Sequence, residues 1–192
     1  MPPAEPSYLE NMTALTGYQS YEEWMGTRVL SLRDVWPEHT RAVIVGTNPS
    51  PMSVTAGHYF QGPVGRRQLR RIADTLGWDV APRGFFEEPG IENGVGFTDI
   101  VKRPTPREVG VRAAELAHGR DLLAIKLASR HVRLVIAVYR QPVLALLGAE
   151  GTPGVQPTRT SWGAQVFRLP GPFETPARAA EVMRGLVGLV DG

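Results

Sequence analysis

Ala42-Val43-Ile44-Val45-Gly46 is a short unbroken apolar run that ends on glycine, and Thr47-Asn48-Pro49-Ser50-Pro51 follows it at once. A run of this length without polar alternation fits a strand covered on both faces, as in a parallel sheet, and the Asn-Pro punctuation ends it. Arg133-Leu134-Val135-Ile136-Ala137-Val138 has the same character, Gly96 to Val101 suggests a further strand, and Gln165 to Leu169 a last one. Between these runs the apolar spacing turns helical. Leu69, Ile72, Ala73 and Leu76 predict a helix over 66–76, and a longer helix from about Arg112 to Ser129 follows the breaks at Pro104 and Pro106. A short helix around Pro142 to Leu147 closes at Gly148, and Thr175-Pro176 reads as the N-cap and first residue of a helix running to about Val190. Strands alternating with helices predict an α/β sheet fold.

Outside this frame, Gly151 to Ser161 reads as a loop, and residues 1–40 read as an N-terminal helical cap on a core of residues 41–192. The cap's helix is placed from Tyr21 to about Leu32, on the recurrence of Trp24, Met25, Arg28, Val29 and Leu32. With 192 residues, no internal repeat and no linker, one domain is expected.

The chain has no cysteine, which excludes disulfides, thiolate nucleophiles, iron–sulfur clusters and cysteine-ligated zinc, and its histidines (His39, His58, His118 and His131) lack helical ligand spacing. No metal or other cofactor is expected. The opening MPPAEPSYLENM has neither the basic start nor the apolar core of a signal peptide, and no apolar run is long enough to span a bilayer, so a cytoplasmic protein with no membrane partner is expected. Net charge is +2, but the positive charge is nearly all arginine, since Lys102 and Lys126 are the only lysines. Arginine forks onto phosphates and guanine edges, whereas a GC-rich coding sequence also enriches arginine. Four arginines, Arg66, Arg67, Arg70 and Arg71, occupy the polar surface of the 66–76 helix and read either as a nucleic-acid contact or as a solvated face.

Ligands of open α/β sheets bind beyond the carboxyl ends of the strands. Three segments there are unusual: Gly46-Thr47-Asn48-Pro49 with Gly57-His58-Tyr59-Phe60-Gln61-Gly62-Pro63 downstream, Gly96-Phe97-Thr98-Asp99-Ile100-Val101-Lys102-Arg103-Pro104-Thr105, and Leu169-Pro170-Gly171-Pro172-Phe173-Glu174-Thr175. The first resembles the Gly-x-Asn-Pro motif of mismatch-specific uracil- and thymine-DNA glycosylases, with a Gly-His-Tyr-Phe-x-Gly-Pro segment at about that family's distance. The second is similar to its Gly-x-Thr-x-x-Val-x-Arg-Pro-Thr element. The ordered matches span roughly residues 41 to 175.

The resemblance implies a three-layer α/β/α fold around a central, mainly parallel sheet of four or five strands, and a monomer that excises uracil from duplex DNA without a cofactor, with G·U mismatches as the preferred substrate and other damaged bases as further partners. It implies that Asn48 holds the attacking water and that Phe60 stacks on the flipped base, while the neighbouring Gly46, Thr47, His58 and Tyr59 are the substrate-contact candidates. Phe60 also reads as ordinary core, and His58 as a loop histidine satisfied by its neighbours. Arg66, Arg67, Arg70, Arg103, Phe173 and Glu174 are the DNA-contact candidates.

Two departures from the family pattern matter. A neutral amide orients water but takes no proton, and Asp99 stands where the family commonly carries a non-acidic residue. A carboxylate there suits a general base or an electrostatic partner for a positive sugar. The same carboxylate also reads as bound to backbone amides or paired with Arg103. Gly171-Pro172-Phe173-Glu174 replaces the family's Asn-Pro-Ser-Gly run, which enters the duplex and contacts the opposite guanine. Phe173 reads either as a wedge between bases or as packing under the last helix. Glu174 near phosphates is unfavourable unless it caps that helix or accepts from a base amino group. A nucleotide-binding α/β protein is the rival of another class, but the chain has neither a Gly-x-x-x-x-Gly-Lys loop nor a Gly-x-Gly-x-x-Gly fingerprint. A non-catalytic damaged-DNA binder of the same fold is the other.

Overall fold

The computed structural model describes residues 14–190. Part of the expected N-terminal cap, residues 1–13, lies outside the described residues. The elements in chain order are β1 (Gln19–Trp24), β2 (Thr27–Leu32), β3 (Ala42–Gly46), α1 (Pro51–Ala56), α2 (Pro63–Leu76), α3 (Glu87–Glu92), β4 (Val95–Asp99), α4 (Ala113–Ser129), β5 (Leu134–Ala137), α5 (Arg140–Leu147), β6 (Gly154–Val155), β7 (Gln165–Arg168) and α6 (Pro176–Val190).

The central sheet has five strands in the order β4-β3-β5-β7-β6. The β3–β4, β3–β5 and β5–β7 pairs are parallel, and the two-residue β6 adds an antiparallel edge. Period-two alternation divides each central strand between two cores. Ile44 and Ile136 point to the layer that holds Leu69 and Ile72 of α2 and Met183 and Leu186 of α6. Val43, Val45 and Val135 point to the opposite layer, against Leu123 and Leu127 of α4 and Val143 of α5. Helices therefore cover both faces, and the expected three-layer α/β/α fold is what the chain forms.

The expected helix from Tyr21 to Leu32 is instead a β-hairpin, paired from Gln19↔Leu32 to Trp24↔Thr27. Its turn residues Met25 and Gly26 have φ of 50° and 77°, the two left-handed positions that a tight hairpin turn requires. Trp24 and Leu32 serve as apolar anchors in either geometry, but Gly26 breaks a helix and completes this turn. Just beyond β2, Val35 makes an antiparallel bridge to Phe97, so the N-terminal region covers the free edge of β4.

Candidate active site

β3 and β4 end side by side in register, with Gly46 opposite Asp99. Their exit loops stay joined, because Ile100 and Val101 N–H donate to the carbonyls of Gly46 and Thr47, and Thr105 N–H to that of Pro49. A cavity of about 260 Å³ opens over this rim, and Asn48, Phe60, Asp99 and Tyr139 line it.

Asn48 is fixed by its amide nitrogen. Nδ2 donates to Thr105 Oγ1 at 2.8 Å and faces the carbonyls of Arg103 and Pro49 at 3.2 Å each. Thr105 Oγ1 acts as acceptor there because its own proton goes to the Arg107 carbonyl at 2.7 Å. Three acceptors on one side of the amide determine its orientation and leave Oδ1 as the group free to take a hydrogen bond from a water.

Asp99 is 4 % exposed. Burial pushes its carboxyl up to about 7; nearby Lys102 and Lys126 oppose that rise and Asp34 adds to it. The two lysines are themselves engaged with Asp34, at 2.6 Å for Lys102 and 2.5 Å for Lys126, and Thr98 donates to the same carboxylate. Burial works against ionised Asp34, but the two ammonium groups hold it below the usual carboxylate range. Asp99 thus has charged groups nearby, yet no described residue donates a hydrogen bond to its carboxylate. The alternative pairing with Arg103 does not form: Arg103 forks onto Glu115, Nε to Oε1 at 2.7 Å and Nη2 to Oε2 at 2.6 Å.

Gly46 is the small residue this arrangement needs. A methyl group on it would lie 2.2 Å from Asp99 Oδ1 and 3.0 Å from Phe60 Cζ, so the strand end lies directly against both groups. Phe60 is half-buried, has φ of 56°, and backs onto Gly65 in the first turn of α2. The core and cavity readings of Phe60 meet here, since one part of the ring packs inward and the rest borders the cavity.

The other expected substrate contacts are more structural. Tyr59 is buried and donates its hydroxyl to the Arg33 carbonyl, although it also borders the cavity. Thr47 Oγ1 turns to Glu108 at 3.4 Å. His58 stacks flat on Phe85 at 3.4 Å and faces Glu87, away from the cavity lining. Tyr139 was not singled out from the sequence, although it immediately follows the clearest strand. Burial, with Asp99 and Glu108 nearby, pushes its phenol up to about 12, so it stays neutral and able to donate.

The four arginines of α2 brace loops rather than stand as a free cationic face. Arg66 and Arg70 donate to carbonyls of residues 80–84. Arg67 donates to the Pro172 carbonyl and Arg71 to that of Gly171, while Gln68 holds Pro170. Both loops are proline-interrupted and irregular, and the side-chain donors of α2 supply hydrogen bonds that tie them to the helix. The second loop carries Phe173, which is 80 % exposed with the Arg67 guanidinium 5.5 Å from its ring centre; it does not pack under α6. Glu174 turns its carboxylate to the Thr175 N–H at the start of α6.

The carboxyl rim of a mainly parallel α/β sheet thus brings together an oriented amide, a buried carboxylate and a half-buried aromatic ring around one cavity. A family model for the uracil DNA glycosylase superfamily matches residues 34–174, so the chain belongs to that superfamily. Membership assigns it the general class of a DNA glycosylase, a hydrolase acting on DNA; uracil-containing DNA is the substrate of the superfamily.

Proposed function

We propose that the protein is a monofunctional uracil-DNA glycosylase of the mismatch-specific branch, acting on uracil flipped from G·U pairs in the first step of base excision repair. Phe60 stacks on the extruded base in the cavity. The C1′–N1 bond breaks with its electron pair leaving on uracil, and the sugar gains oxocarbenium character. Asn48 Oδ1 orients a water whose oxygen bonds to C1′ as its proton passes to Asp99. Ionised Asp99 also stabilises the cationic sugar. The observation that carries this reading is the pairing of functions at one rim: Asn48 is locked with its carbonyl oxygen free, and Asp99 beside Gly46 and Phe60 is a buried carboxylate poised near neutrality.

Phe173 stands at an exposed loop tip whose backbone three α2 side chains hold in place, which suits a wedge entering the duplex. A base-release panel in which lesion and opposite base are varied independently tests the branch assignment. Faster release of uracil opposite guanine than opposite adenine is expected, and equal rates contradict mismatch preference. Binding of uracil-containing duplex without any release contradicts the enzyme reading altogether.

A further inference from the structure

Phe60 holds a left-handed backbone conformation at φ 56°, which a bulky side chain adopts only where its surroundings impose it. The anchors are visible on both sides. After Phe60, Gln61 N–H donates to Ser53 Oγ at 3.0 Å. Before it, Tyr59 N–H donates to Glu87 Oε1 at 2.6 Å. Glu87 is wholly buried at the start of α3, and burial pushes its carboxyl up. Its second oxygen, Oε2, lies 3.4 Å from His58 Nδ1, and neither atom has a hydrogen-bond partner. The His58 ring is held by its stack on Phe85. A buried carboxylate with one oxygen left over is a poor way to fill a core, where an apolar residue of the same shape serves stability better. Its one strong bond ends on the residue next to Phe60.

We propose that Glu87 is a positioning residue that fixes the Phe60 ring for base stacking by holding the Tyr59 N–H; this rests on the glycosylase reading above. Glu87 touches neither base nor sugar. It acts through the loop, so its contribution exists only while the Phe60 side chain is present.

Single-turnover uracil release and binding to undamaged duplex are measured for the full chain and for Glu87→Leu, Glu87→Gln, Phe60→Ala and Phe60→Ala/Glu87→Leu. Glu87→Leu keeps the volume and removes the acceptor, and it is expected to slow release about tenfold or more with undamaged-duplex affinity unchanged. Glu87→Gln retains an acceptor for Tyr59 and a donor for His58, and is expected to restore most of the rate. In the Phe60→Ala background, Glu87→Leu is expected to add no further loss. An equal penalty with and without the Phe60 ring overturns the proposal, as does Glu87→Gln being as slow as Glu87→Leu. If Glu87→Leu does not fold, Glu87→Asp, whose carboxylate is one methylene short of the Tyr59 N–H, takes its place in the cycle. A wild-type protein that releases no uracil contradicts the glycosylase reading and this proposal with it.

Discussion

In the proposed mechanism Asn48 and Asp99 divide a task that neither residue type performs alone. An amide positions water through its carbonyl oxygen but accepts no proton, whereas a carboxylate accepts the proton but needs the water brought to it. Asn48→Ala is therefore expected to lower the single-turnover rate about a hundredfold while DNA affinity is kept, measured by base release beside a binding titration. The Asp99 carboxyl is raised to about 7, and this has a stability consequence of definite sign. Between about pH 4 and 7 the native state holds a proton that the unfolded chain has released, so this group's contribution falls as pH rises. Asp99→Asn removes that cost. Its melting temperature is expected to exceed that of the wild type at pH 8 and to differ little at pH 4, with an effect on the order of 4 kcal/mol at the upper end. A lower melting temperature at pH 8 would show that Asp99 serves the fold rather than the chemistry. The roles proposed for Asn48 and Phe60 are legible in the sequence only through motif resemblance. Glu87 and Asp34 were not legible at all, because their partners are 28 residues away at Tyr59 and 68 residues away at Lys102.

At the scale of elements, the strands read as continuous apolar runs were found with edges shifted by a residue or two. A buried parallel strand leaves an unmistakable pattern, and α2, α4, α5 and α6 left theirs in spacing and caps. In the hairpin of β1 and β2, Trp24, Val29 and Leu32 satisfy helical spacing by coincidence, and the turn signal lies in Met25-Gly26. Helices α1 and α3, at six residues each, are too short to establish a period. The arginines of α2 show the other limit: sequence located them on one surface, but their partners are carbonyls of distant loops. Arg67, the exposed member next to Phe173, is expected to matter for DNA directly. Arg67→Ala should weaken duplex binding uniformly across sequences and flatten its salt dependence, and an unchanged salt slope moves the DNA face elsewhere.

β4 ends at Asp99, and Lys102 Nζ is bonded to Asp34 and to the Leu32 carbonyl at 3.0 Å. An ammonium held this way is a poor Schiff-base nucleophile. Borohydride trapping on uracil-containing duplex is expected to give no covalent adduct. An adduct that disappears in Lys102→Ala would establish lyase activity.

For the molecule as a whole, the sheet places four cavity-lining side chains from separate segments at one rim: Asn48 after β3, Phe60 before α2, Asp99 at the end of β4 and Tyr139 after β5. Superfamily membership covers residues 34–174, which includes this rim and the Phe173 loop but not the β1–β2 hairpin. No helix among the described residues is long and apolar enough to cross a membrane, and none of their His, Asp and Glu groups forms a cluster suited to a metal ion. In the proposed mechanism Asn48 orients the water and Asp99 takes its proton. Single-turnover release of uracil from a G·U duplex, followed from pH 5 to 9 with a chelator present, compares wild type with Asp99→Asn most directly. The wild-type rate is predicted to rise with pH and level off above about 7 as Asp99 loses its proton, and Asp99→Asn to be slower by about 10²–10⁴-fold with that rise abolished. Wild-type rates retained by Asp99→Asn across the range would contradict the account and leave the water to Asn48 alone.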